Sequence, residues 1–164
     1  MRGFSYVGPE EIRARCAASQ GAPILTRADL LQWLAEHGDT VTSEGGFATY
    51  VVDLDGKLLV APRRTEHVAC AAGQAVLAAG EIRFTSDGCV AEVTNNSTGY
   101  CPAEDCWPSV GAALTSAQIP HPHGFTFVAH FRRCPRCGER NLVKDDWYRC
   151  ALCDGELPMA WNFD

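Results

Sequence analysis

FATYVVDLDGKLLVA, residues 47–61, sets two apolar, β-branched runs on either side of Asp55-Gly56. Asp-Gly between such runs favours a tight hairpin, because glycine accepts the positive φ that the turn requires. The pattern recurs in GEIRFTSDGCVAEVT, residues 80–94, with its turn at Asp87-Gly88. Two antiparallel hairpins are expected, and with them a sheet rather than a helical bundle.

Toward the N-terminus the texture is helical. GPEEIRARCAAS (8–19) places Pro9 in a first turn and Glu10 and Glu11 at its positive end. TRADLLQWLAEHG (26–38) has Thr26 as a cap, Asp29 at the capping-box position, Leu30, Leu31 and Leu34 on one apolar face, and Gly38 as a stop. Between the hairpins, the small residues of HVACAAGQAVLAAGE (67–81) fit either a close-packed strand pair or a short helix. WPSVGAALTSAQI (107–119) reads as a helix, GFTFVAHF (124–131) alternates like a strand, and so does the final ELPMAWNFD (156–164), which is expected to pack back on the protein. The fold class is therefore α+β: N-terminal helices, a small antiparallel sheet of hairpins, and a cysteine-rich C-terminal module. Residues 1–131 are expected to form the main domain and 132–164 the module with its strand.

The four cysteines of CPRCGERNLVKDDWYRCALCDG form two C-x-x-C pairs, Cys134/Cys137 and Cys150/Cys153, twelve residues apart. Each pair makes a knuckle that aims two thiolates at one point, and the intervening hairpin closes a tetrahedral shell, as in a zinc ribbon. Four thiolates leave no open position for water, so the expected Zn²⁺ is single and structural. Gly138 and Gly155 follow the knuckles, where backbone amides must turn toward the sulfurs.

The chain has 164 residues, of which 46% are hydrophobic and 21% charged, as expected of a water-soluble fold. No apolar run is long enough to span a bilayer, and the first residues lack a signal-peptide core, so a cytoplasmic location is expected. A reducing compartment favours metal ligation or buried thiols for the nine cysteines, with Cys16, Cys70 and Cys89 read as core, and it sets aside glycosylation at Asn95 and Asn96. Residues 1–131 carry 14 acids and 8 bases, whereas 132–164 carry 6 of each. Arg132, Arg133, Arg136, Arg140, Lys144 and Arg149 offer a nucleic-acid surface, but Glu139, Asp145 and Asp146 interleave with them and the main domain is acidic.

TNNSTGYCPAEDCW, residues 94–107, admits three readings. Cys101 and Cys106, with His121 and His123, have the ligand types of a second zinc site. Alternatively Cys101 is a nucleophile served by His67, His121, His123 or His130. In the third reading Asn95, Asn96, Ser97, Thr98, Gly99 and Tyr100 form a binding loop for a small ligand or peptide group.

The run from DGKLLVAP through EHVACAAGQAVLAAGEI to DGCVAEVTNNSTGYCP resembles a module of bacterial proteins found near toxin and conflict systems, seen also in plant IQ-motif calmodulin-binding proteins. The matching positions are His67, Ala78, Ala79, Gly80, Asn95, Ser97, Tyr100 and Pro102, within residues 47–103. The module closes on Asn-x-Ser-Gly-His-Tyr-x-Pro; here Thr98 and Gly99 replace Gly-His, so that imidazole is missing. No calmodulin-binding segment is evident. The resemblance implies a bacterial neighbourhood and no mechanism.

Three functions follow as expectations. The first is a cytosolic binding protein with a structural zinc ribbon, an accessory or immunity component of a conflict system, contacting a protein partner or small ligand through Asn95, Ser97, Thr98, Gly99 and Tyr100. The second is an enzyme with His67, Tyr100 and Cys101 in one pocket, and the third is a nucleic-acid binder working through the ribbon.

Overall fold

The two hairpins meet in one sheet. In the computed structural model, which describes residues 1–43 and 45–164, the elements are α1 (Glu10–Cys16), β1 (Ala22–Ile24), α2 (Arg27–Ser43), β2 (Phe47–Asp53), β3 (Leu58–Pro62), α3 (His67–Cys70), β4 (Val76–Phe84), β5 (Val90–Val93), α4 (Trp107–Ser116), β6 (His130–Arg133) and β7 (Arg140–Val143). The first five strands form an antiparallel sheet in the order β1-β3-β2-β4-β5, and β6 pairs with β7 alone. The architecture is α+β. Gly56 and Gly88 supply positive φ at the two hairpin turns, at 81° and 79°.

Strand β2 is buried at every position from Ala48 to Val52, so both faces of the sheet are covered there. Helix α2 packs on β1, β2 and β3, and α4 on β2, β3 and β4. The capping box of α2 forms: Asp29 N–H donates to Thr26 Oγ1 (3.1 Å), while the Asp29 carboxylate accepts from the amides of Thr26 (2.8 Å) and Leu25 (3.0 Å). Its buried face runs through Leu30, Trp33 and Val41 with Leu34 beside them, and Leu31 points outward. The helix passes Gly38 because Val41, one turn on, reaches the core, which offsets the roughly 1 kcal/mol that a helical glycine costs. It stops instead at Gly45 and Gly46, both at positive φ, where the Gly46 amide donates to the Val41 carbonyl (2.8 Å).

The small-residue stretch 67–81 resolves into both of its readings in succession. One helical turn, α3, is followed by a reversal through Ala72 and Gly73 at positive φ, and then by β4. Its glycine has a steric reason: a Cβ on Gly80 would lie 2.0 Å from the Thr94 carbonyl oxygen. That close approach lets buried Tyr50 donate its hydroxyl to the same oxygen (2.7 Å). Cys70 is a core residue as expected, and Cys16 packs partly buried against the core. Cys89 differs, lying half-buried in the β4–β5 turn with its thiol toward Asp87.

The strand expected over 124–131 forms only from His130, where β6 begins; before it, Thr126 makes hydrogen bonds with Val93, and Phe127 a single bridge with Thr94. The C-terminal segment is not a strand either, beyond one bridge at Glu156, although it does pack back. Leu157 is buried with the ribbon cysteines, and Trp161 sits edge-on to Phe4 at 5.6 Å.

Candidate metal centre and the loop beside it

The two knuckles are built alike. In the first, Cys134 N–H donates to the Glu139 carbonyl (2.8 Å) and Gly138 N–H donates back to the Cys134 carbonyl (2.9 Å). In the second, Cys150 and Gly155 (2.8 Å) and Asp154 and Cys150 (2.9 Å) repeat this. The left-handed position is Gly138 in one knuckle (φ 80°) and Asp154 in the other (φ 58°). Gly155 therefore turns nothing; it makes room, since a Cβ there would lie 3.2 Å from the Cys153 sulfur.

This geometry gathers the Sγ atoms of Cys134, Cys137, Cys150 and Cys153 within 4.8 Å of one another, with Cys134–Cys153 and Cys137–Cys150 both at 3.6 Å. A tetrahedron with metal–sulfur bonds of about 2.3 Å has edges of about 3.8 Å, so the set fits one four-coordinate ion. Hydrogen bonds shape the sulfurs. Amides of Cys137 and Arg136 draw the Cys134 thiol below its ordinary pKa. Around Cys150 desolvation is outweighed by hydrogen bonds from the Cys153 and Leu152 amides and from Asn141 Nδ2, which bring that thiol down to about 6. Cys137 moves the opposite way, up to about 12: the Glu139 backbone hydrogen bond draws it down, but desolvation and then the sulfurs of Cys153, Cys150 and Cys134, which oppose another negative charge, outweigh it. A divalent cation removes that opposition. Four cysteines can thus hold one metal ion with no position left for substrate.

The loop 94–107 is a joint. Asn95 is 0% exposed: its Oδ1 accepts from Ala129 N–H (2.6 Å) and its Nδ2 donates to the carbonyls of Ala129 (2.9 Å) and Pro102 (3.5 Å). This side chain does the work of a strand partner for the segment entering β6. The Thr98 carbonyl accepts from Arg140 on β7 (2.5 Å), the Gly99 carbonyl from Val7 N–H (2.7 Å), and Tyr100 donates its hydroxyl to Gln74 (2.6 Å). The Cys101 carbonyl accepts from Trp161 Nε1 (2.8 Å). Five separate parts of the chain are hooked to the seven residues from Asn95 to Cys101.

Of the expected ligand-binding set, Asn95, Ser97 and Tyr100 are buried within the protein, Gly99 lies under the Tyr6 ring and Thr98 alone is exposed. Among the described residues, buried Ser97 Oγ has no hydrogen-bond partner. The catalytic candidates are similarly occupied. His67 Nε2 donates to the Gly80 carbonyl (2.9 Å), and burial lowers its pKa despite that bond. Burial pushes the Tyr100 hydroxyl up, and the Cys101 thiol up to about 12 with its sulfur on the Thr98 carbonyl (3.3 Å). A thiol so placed among Ala129 and Phe131 is a poor nucleophile. Cys101 sits at φ 44°, a strained value for a residue with a Cβ.

Nor do Cys101, Cys106, His121 and His123 assemble: among the described residues the four ribbon cysteines alone form a group able to hold a metal. Cys101 belongs to the joint, Cys106 to the main core, and His121 is bonded to Thr115 (3.0 Å), with His123 exposed. The basic set of the ribbon is also largely used internally. Arg132 is buried and spends its guanidinium on Glu104 and on the carbonyls of Phe131, Pro158 and Met159; Arg133 stacks over Phe163, and Arg140 holds Thr98.

Sequence reasoning missed Glu104. Its carboxylate accepts from Arg132 (2.7 Å) and from His130 Nδ1 (2.9 Å), tying the 3₁₀ turn Glu104–Cys106 to β6. Partial burial works to raise its pKa, but the His130 and Arg132 hydrogen bonds and the Arg132 charge outweigh this and hold the carboxyl below its usual range. His130 is half-exposed, and among the described residues no hydrogen bond to its Nε2 is found. No local motif announces a pair 26 residues apart.

No protein-family model, curated protein or solved structure matches the chain. Among the described residues no helix is long and apolar enough to cross a membrane.

Proposed function

We propose that this is a binding protein built around a structural Zn²⁺ ribbon, acting by contact with a protein partner rather than by turnover. The carrying observation is the closed four-sulfur set, whose donors suit zinc and leave no reactive position. A reducing cytoplasm is the compartment that keeps such thiolates available to the metal. The resemblance of residues 47–103 is what supports a bacterial conflict-system role, as an accessory or immunity component. Against the binding-loop reading stands the burial of Asn95, Ser97 and Tyr100, so the partner surface is sought on the ribbon. Against a nucleic-acid role stands the internal use of Arg132, Arg133 and Arg140. Cobalt substitution tests the metal reading: tetrahedral thiolate bands, displaced by one equivalent of zinc, are expected, and their absence would defeat it.

One observation favours a second reading, an enzyme, and moves its centre. The Glu104–His130 pair is an imidazole oriented by a carboxylate, the arrangement of a general base. Turnover on any ester or phosphoester should then fall about a hundredfold or more in His130→Ala and persist in Cys101→Ser. The reverse result would return catalysis to Cys101.

A further inference from the structure

Among the described residues, strand β7 is an edge with no strand paired to its outer side. Arg133 exchanges hydrogen bonds with the Asn162 side chain (2.8 and 2.7 Å), and the Phe131 carbonyl accepts from Arg132 (2.7 Å), so both residues turn their peptide groups away from β7. In an antiparallel pair the registered partners do the same in the opposite sense. Arg140 and Leu142 therefore direct their peptide N–H and C=O groups outward from the sheet. Among the described residues, no hydrogen bond from another element reaches the Leu142 backbone. Two shallow grooves, of about 590 and 370 Å³, share Leu142 and Lys144 as lining. Their walls carry the exposed apolar side chains Phe127 (54%), Trp147 (68%) and Leu152 (69%). An unpaired strand flanked by such side chains is a template for another strand.

Charge selects the occupant. The six-unit negative excess lies in residues 1–131, whereas 132–164 are balanced. Along this edge Lys144 and Arg149 stand among Asp145, Asp146 and Asp154. A nucleic acid would meet more anions than cations here. A second copy related by a two-fold axis brings the same mixed patch reversed, so that cations meet anions in both halves. With its charges balanced over residues 132–164, the ribbon is also the part of this acidic protein that another copy can approach with least repulsion. We propose that the protein forms a two-fold dimer in which β7 pairs antiparallel with β7 of a second copy, making a four-stranded sheet sealed by Trp147 and Leu152. This rests on the ribbon being folded around its metal.

The test is sedimentation equilibrium from about 1 to 100 µM, with zinc content measured on the same samples, for the wild type and for Trp147→Asp/Leu152→Asp. Both substituted residues are exposed, so the fold is spared. The expected result is a two-chain wild-type mass, and dissociation at least tenfold easier in the double variant, with one zinc per chain in each. A single-chain wild-type mass with zinc bound would overturn the proposal, as would a dimer indifferent to the substitutions. A wild type without zinc would overturn the ribbon reading beneath it.

Discussion

Two regions of this chain carry closely spaced cysteines, and they are put to opposite uses. In the ribbon, Cys134, Cys137, Cys150 and Cys153 point their sulfurs at one another, and backbone amides and Asn141 stabilise negative charge on them. In the loop, Cys101 and Cys106 point into separate apolar clusters, and burial pushes both thiols up to about 12. The difference lies in the backbone. Two knuckles with the same pair of hydrogen bonds bring their cysteines together, whereas Cys101 and Cys106 are separated by an extended Pro102–Ala103 step and a 3₁₀ turn.

The largest effect should come from breaking the ribbon. Structural zinc contributes on the order of 10 kcal/mol to modules of this size. In Cys134→Ser/Cys137→Ser, hydrogen exchange across residues 132–164 is expected to become fast, while β1–β5 keep their protection. Equal loss of protection in both regions would show that the sheet cannot stand without the ribbon.

Next comes the joint. Asn95→Ala leaves the N–H and C=O of Ala129 buried without their partner, a cost of about 3 kcal/mol in urea unfolding with zinc stoichiometry unchanged. A loss under about 1 kcal/mol would mean that Asn95 is not structural, and would reopen the binding-loop reading.

A smaller change, about 1 kcal/mol, is expected from Gly138→Ala, which forces a side chain into the left-handed region; Asp154 already tolerates the matching position. If calorimetry finds Gly138→Ala neutral, the two knuckles are not equivalent in strain.

The pH response of His67 and Glu104 should be smaller still. His67 has a lowered folded pKa, so the unfolded chain binds its proton more readily. Its contribution is complete above the ordinary histidine value of about 6.5 and is lost as pH falls through the lower folded value. Glu104, also lowered, acts in the same sense but further down, being lost only below the ordinary carboxylate value of about 4.3. Urea midpoints should thus decline between pH 7 and 5 in the wild type, and His67→Gln should flatten that decline. An undiminished slope would assign it elsewhere.

How much of this could be read beforehand follows from the range of the interactions. The hairpins, the α2 cap and the four ligands are written in residues at most a few positions apart, or in a spacing repeated within one short module. The joint is written in pairs far apart: Asn95 with Ala129 across 34 residues, Cys101 with Trp161 across 60. Nothing in TNNSTGYCPAEDCW distinguishes an asparagine that binds a ligand from one that binds the protein's own backbone. The end of α2 is not legible at Gly38 for a related reason, since burial of Val41 outweighs the local cost of that glycine. The role of Gly155 is not legible locally either: the left-handed position of its knuckle is Asp154, and glycine is needed for the space beside a sulfur.

Zinc counted by native mass spectrometry, in wild type, in Cys101→Ser/Cys106→Ser and in Cys134→Ser/Cys137→Ser, tests the contrast between the two regions most directly. One zinc is expected in the wild type, kept by the first variant and lost by the second. Two zincs in the wild type, or loss of metal on changing Cys101 and Cys106, would contradict it and make the loop a metal site.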